Sequence, residues 1–126
     1  DLAARIYGKD FPELFENAAF CMFDMAGDLS GAVTYWAELT LKAADKESLL
    51  IKWLNELLFM SFDKKILFSA FNVSFPGECE LKAKVGGSGY EGREYLLKKE
   101  IKAATYHEVK IENLARGYEV VIVFDV

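Results

Sequence analysis

The chain is 126 residues long, 52% hydrophobic and 28% charged, with a net charge of −5 and a predicted pI near 4.9. That length and composition suit one folded domain, residues 1–126, burying a core without disulfide or metal staples, and they exclude an intrinsically disordered chain. The acidic balance excludes a chain-wide electrostatic grip on a phosphate backbone, so any nucleic acid served by this protein is expected to be held by a partner. Cys21 and Cys79 fall at no metal-ligand spacing and lie in apolar surroundings, which predicts two buried thiols in a reducing cytosol. No apolar run reaches the about 18 residues of a membrane span and no signal peptide is visible, so a cytoplasmic protein is expected. The first residue is Asp1 rather than Met, which predicts that residues preceding it have been removed.

Residues 1–6 alternate Leu2, Ala4 and Ile6 against Ala3, Arg5 and Tyr7, as a short strand closed by Gly8 does. A helix opens at Asp10, its N-cap, with Pro12 in the first turn and Glu13 as the capping-box partner. Phe11, Leu14, Phe15, Ala18, Ala19, Met22, Phe23 and Ala26 form its apolar stripe, and Gly27 is placed to end it. From Val33 to Ala43 the chain alternates again, predicting a strand with one wet face. Asp45 caps a second helix running to about Phe62, striped by Leu49, Leu50, Trp53, Leu54, Leu57 and Leu58. Ile51, Phe59 and Met60 fall off that stripe, so this helix is either buried on a second side or carries a protein-binding patch.

Two strand-like runs follow, 66–75 and 79–85, separated by Pro76-Gly77. Gly86-Gly87-Ser88-Gly89 cradles phosphate only where a strand passes into a helix N-terminus. Here Tyr90-Glu91-Gly92-Arg93 follows and no Lys-Ser/Thr is present, so the cluster reads as a flexible loop and not as a nucleotide site. Residues 96–111 alternate as a long strand, with Ile101, Ala103, Thr105, His107, Val109 and Ile111 on one face. Glu112-Asn113 turns into the last strand, whose unbroken apolar run Val120 to Phe124 predicts cover on both faces. The order β-α-β-α-β-β-β-β, with mainly hairpin-joined strands, makes this an α+β fold with two amphipathic helices packed on a largely antiparallel sheet.

Catalytic residues are few. His107 is the one histidine, with no nucleophile motif beside it, and on an apolar strand face it reads as a hydrogen-bonded core residue rather than a base. Carboxylates offer more. If the first and last strands pair antiparallel, Asp1 sits beside Asp125 and the α-carboxylate of Val126. Three such groups repel one another and favour raised pKa values or a bound cation. An all-oxygen set selects a hard ion such as Ca²⁺, Mg²⁺ or Mn²⁺. The alternative is two solvated chain ends.

Several blocks are also familiar in order: Asp1-Leu2-Ala3, Tyr7-Gly8-Lys9, Phe15-Glu16-Asn17-Ala18-Ala19, Trp53-Leu54-Asn55-Glu56-Leu57-Leu58, Lys102-Ala103-Ala104-Thr105-Tyr106-His107 and Phe124-Asp125-Val126. Over essentially the whole chain they resemble the archease family. The resemblance implies an archease-like α+β fold with an inserted strand-helix-strand-strand module. It implies a cytosolic accessory protein, not an enzyme, that acts with an RtcB-type RNA ligase in tRNA splicing, promoting guanylylation of the ligase's active-site histidine and sustaining its turnover. It also implies a divalent-metal site, with Ca²⁺ the first choice and Mn²⁺ or Mg²⁺ the others, held by Asp1, Asp125 and Val126. The family's His-Thr-Ala before the first aspartate is absent here, so an α-ammonium on Asp1 is expected to oppose a cation. Two other readings stand beside this one: a metal-free adaptor or chaperone-like module binding through Ile51 and Phe59, and a metal-dependent hydrolase using His107 as base.

Overall fold

The computed structural model describes all residues, 1–126. Its elements in chain order are β1 (Leu2–Gly8), α1 (Phe11–Ala26), β2 (Tyr35–Lys42), α2 (Lys46–Lys64), β3 (Ile66–Gly77), β4 (Glu80–Gly89), a 3-10 turn (Glu94–Leu96), β5 (Ala103–Ala104), β6 (Glu112–Leu114) and β7 (Gly117–Asp125). The α+β reading holds, but the strands form two antiparallel sheets rather than one. β1, β7 and β5 lie in that order, with β6 also on β7, while β2, β4 and β3 form the second sheet. That second sheet and α2 come from one contiguous stretch, the strand-helix-strand-strand module, set between β1-α1 and the closing strands.

Both helices begin as their caps dictate. Asp10 accepts the Glu13 N–H at 2.9 Å, and Glu13 reaches back to the Lys9 N–H at 3.1 Å. Asp45 accepts the Ser48 N–H at 2.7 Å. These contacts satisfy amide groups that have no intrahelical partner. The α1 stripe is buried from Leu14 to Ala26. It lies between the sheets: Phe23 meets Phe68 and Phe71 of β3, and Phe11 stacks on Tyr118 of β7 with centroids 4.1 Å apart. Trp53 is fully buried, packs edge-on to Phe71, and donates its indole N–H to the Phe15 carbonyl at 2.9 Å. One cluster of 26 buried apolar residues draws on both helices and both sheets.

Five local expectations change. Gly27 ends α1 in an extended conformation, φ −172°, not a left-handed one; the left-handed cap is at Lys65, φ 55°, closing α2. Gly27 is needed for space, since a Cβ there would lie 2.7 Å from Leu67 and 2.9 Å from the Leu96 carbonyl. Gly86 to Gly89 are the end of β4 and not a loop. A Cβ on Gly87 would stand 2.3 Å from the Leu67 carbonyl, where β3 bulges at Ser69 and the strands press together. Residues 96–111 are no long strand, because only Ala103 and Ala104 find a ladder partner. The rest of that segment crosses α2 and turns at Glu108, φ 49°. β7 is covered on one face only: Val120, Ile122 and Phe124 are buried, whereas Val121 is 38% exposed. It is interior to its sheet sideways, but no layer packs on its outer face. Finally, Ile51 is completely buried. Glu47 bonds the Ile111 N–H and Asn55 bonds Ala104, so the i, i+4, i+8 face that carries Ile51 lies under residues 101–111. The patch expected at Ile51 and Phe59 therefore loses Ile51; Phe59 stays 64% exposed.

Candidate functional site at the chain ends

β1 and β7 pair antiparallel from Leu2 opposite Phe124 to Gly8 opposite Tyr118. One step further along that register, Asp1 faces Asp125. Phe124 is buried and Leu2 packs partly against the core, so the alternation of β7 sends Asp125 to the outer, solvent face, while Asp1 precedes β1. Both are exposed, whereas Val126 packs partly against the core. None of the seven ion pairs in the molecule involves Asp1, Asp125 or either terminus. No Lys, Arg or His side chain pairs with these groups; the one cation on them is the α-ammonium of Asp1 itself.

The other side of β7 is held near its C-terminal end by polar clamps. Lys102 donates its N–H to the Asp125 carbonyl at 2.8 Å. Thr105 gives both its N–H and its hydroxyl to the Val123 carbonyl, each at 2.9 Å. Asn55, on α2, donates to the Ala104 carbonyl at 3.0 Å and accepts the Ala104 N–H at 2.8 Å, so its amide acts as one more strand residue. The Trp-Leu-Asn-Glu-Leu-Leu and Lys-Ala-Ala-Thr-Tyr-His blocks thus meet through this pair. Phe15-Glu16-Asn17 works similarly: Glu16 accepts the Val73 N–H at 2.8 Å and Asn17 donates to the Tyr7 carbonyl at 2.7 Å. Sequence reading had assigned no role to Asn55, Glu16 or Asn17. A polar side chain on a helix flanked by buried apolar positions was the available signal, because such a group needs a partner.

Donor chemistry is compatible with a hard divalent ion. Two unpaired carboxylates and an α-carboxylate are oxygen ligands only, the type that Ca²⁺, Mg²⁺ and Mn²⁺ accept. No group of three or more His, Cys, Asp or Glu side chains is placed to hold a metal anywhere in the molecule, so a bound ion would have no further side-chain ligand of these types. His107 is elsewhere and differs from expectation. It is exposed on a turn, with its backbone N–H 3.4 Å from the Thr105 hydroxyl and its Nε2 3.8 Å from Glu108. It is not a core residue, and neither neighbour makes it the base of a hydrolytic site.

The family model of the Archease protein family (MTH1598/TM1083) matches residues 1–126. The archease of Methanosarcina acetivorans is 35% identical over 133 residues, covering all of this chain and 90% of that protein. That of Sulfurisphaera tokodaii is 33% identical over 128 residues, again covering the whole chain and 92% of the relative. Among solved structures, Methanobacterium thermoautotrophicum protein 1598 aligns with a TM-score of 0.80 at 28% identity, over 98% of this chain and 91% of that one. An archease from Thermotoga maritima shares the fold, with a TM-score of 0.72 at 23% identity over all of this chain and 91% of that one. The match runs from the first residue to the last, through the blocks that clamp the two sheets together; this chain belongs to the archease family.

Proposed function

We propose that this protein is a non-enzymatic accessory factor for an RtcB-type RNA ligase in tRNA splicing. It promotes guanylylation of the ligase and supports repeated turnover. In this reading Asp1, Asp125 and the α-carboxylate of Val126 hold a divalent ion, Ca²⁺ first and Mn²⁺ or Mg²⁺ as alternatives, and the protein works in the cytoplasm. The ion would supply a fixed positive charge; the chain's own contribution is to present an ordered end of the sheet to the ligase. The observation that supports the reading is the antiparallel pairing of β1 with β7, which starts at Leu2 opposite Phe124 and so leaves Asp1 and Asp125 as the next residues at the same end of the sheet. A net charge of −5 supports contact with the ligase rather than with RNA. No helix is long and apolar enough to cross a membrane.

Multiple-turnover RNA ligation with and without the protein tests the reading directly. Stimulation is expected, with weak, salt-sensitive tRNA binding by the protein alone. Asp125→Asn is expected to remove most of the stimulation and the thermal stabilisation by added Ca²⁺, with the fold intact by circular dichroism. His-Thr-Ala placed before Asp1 serves as the control that moves the ammonium away. A Gly-Ser tail after Val126 that leaves Ca²⁺ and Mn²⁺ stabilisation unchanged removes Val126 from the ligand set. The metal-free adaptor reading keeps one favouring observation, exposed Phe59; it gains if Asp125→Asn stimulates as the parent does.

A further inference from the structure

α2 carries two exposed aromatic side chains one turn apart, Phe59 at 64% and Phe62 at 81% exposure. Phe62 forms one wall of an open cleft of about 350 Å³ whose other apolar walls include Leu58, Leu67, Tyr90, Leu97 and Ile101. Its far side is fixed in place. Leu97 bridges Gly27, and the N–H groups of Lys98 and Lys99 both bond the Ala26 carbonyl at the end of α1. The cleft is therefore formed in the free protein rather than opened by a ligand.

Charge at the rim runs against the charge of the chain. Lys98 and Lys99 line the cleft, both are exposed, and neither belongs to an ion pair; Glu100 is the only carboxylate among the lining residues. An acidic protein thus presents an apolar slot edged by two exposed ammonium groups, of which Lys98 also acts on the Asp28 carboxylate from a distance. The slot also adjoins the chain-end site. Ile101, on its wall, precedes Lys102, whose N–H bonds the Asp125 carbonyl. Residues 97–102 form one strap that runs from the cleft to the Asp125 backbone.

We propose that this cleft docks the partner ligase through a segment presenting one large apolar side chain flanked by carboxylates. The apolar group enters beside Phe62 and Leu97, and the carboxylates pair with Lys98 and Lys99. This rests on the ligase reading above and adds the surface that would make the contact. An apolar anchor in a pocket with charged groups at its edge is the usual arrangement of a binding hot spot. Rim charges of this kind act mostly on association rate and its salt dependence.

The test measures binding of an RtcB-type ligase to the immobilised full chain by interferometry, with sedimentation of the free protein alongside. Phe62→Ala is expected to weaken binding about tenfold, mainly through faster dissociation. The double variant Lys98→Glu/Lys99→Glu is expected to slow association about tenfold at about 50 mM salt and less at about 300 mM. Both substitutions are at exposed positions, and circular dichroism checks that the fold persists. If the parent binds and stimulates the ligase while both variants bind as it does, the cleft assignment is overturned and the ligase reading stands. If the parent neither binds nor stimulates the ligase, the ligase reading itself fails and the assignment falls with it. A parent dimer that either variant dissociates would instead give the cleft to a second copy of the chain, overturning the proposal.

Discussion

The two sheets are built in opposite ways from one chain. The β2-β4-β3 sheet comes from a contiguous stretch, and the turn of its β3-β4 hairpin is so tight that Gly77 pairs with Glu80. The β1-β7 sheet joins the ends of the chain, Leu2 opposite Phe124. Loop closure costs little in the first case and much more in the second, and long-range pairing is correspondingly slow to form. The terminal sheet is reinforced accordingly: Asn55, Thr105 and Asn17 all tie backbone groups of β1, β5 or β7. The β2-β4-β3 sheet relies on a tight glycine-containing interface and a covering helix. The local sheet relies more on fit, with Glu16 on the Val73 N–H as its own clamp, and the terminal one more on polar clamps; the candidate site sits on the latter.

Trp53 spans the divide, because it packs on Phe71 of the local sheet and bonds the carbonyl of Phe15 on α1. Trp53→Ala is expected to cost about 3–5 kcal/mol in urea unfolding, as large-to-small core changes do, and to weaken both sheets together. Two separated transitions would mean that the sheets are not coupled through this residue. Gly87→Ala is confined to the local sheet. Its new methyl meets the Leu67 carbonyl, a backbone atom that cannot swing aside, so about 1–3 kcal/mol is expected to be lost. Hydrogen exchange should rise along β3 and β4 and stay unchanged along β1.

Asn55→Ala is the counterpart for the terminal sheet. It strips Ala104 of a donor and an acceptor in a partly buried position, for about 1–3 kcal/mol. Exchange is expected to rise at Ala104 and Thr105, next to the strand that carries Asp125, and to stay unchanged across β2 and β4. Faster exchange in both sheets would contradict the division of labour between fit and clamp.

The same division governs what could be read in the sequence. Both caps, both helix stripes and the alternation of Val33 to Ala43 follow from local spacing, and the structure reproduces them. The β1-β7 pairing was also legible, because the apolar final strand needed a neighbour. What was not legible depended on contacts across the chain. Residues 96–111 alternate like a strand, yet alternation arises equally where an irregular segment lies over a helix and exposes every other side chain. The run Val120 to Phe124 looks the same whether its outer face is covered or open, and Val121 shows it open. Asn55 gave no pattern at all until position 104 was brought beside it. That residues 1 and 125 lie at the same end of the sheet needed only the direction of one strand pair, which is why this much could be read before the two sheets were known.

The smallest expected effect lies at the N-terminus of α2, within the local module, and is read through pH. Asp45 accepts the Ser48 backbone N–H, which holds its carboxyl below the ordinary value of 3.8; the Ser48 side chain adds to this, and slight desolvation opposes it. The folded pKa is therefore depressed, so the unfolded chain binds the proton more readily. The resulting stabilisation is fully present above the unfolded pKa and is lost as pH falls through the folded pKa. Asp45→Asn keeps an oxygen for the Ser48 N–H but removes the charge that favours the positive end of the helix dipole. The variant is expected to melt below the parent at neutral pH, and the gap to close as pH falls through and below the ordinary aspartate range. Added salt should narrow the neutral-pH gap because the group is exposed and its interaction with the dipole is screened. Melting curves across that range give the answer. A gap that persists unchanged into acid would locate the effect in amide-for-carboxylate geometry rather than in charge, and the cap of α2 would then be a contact of fit like the rest of its module.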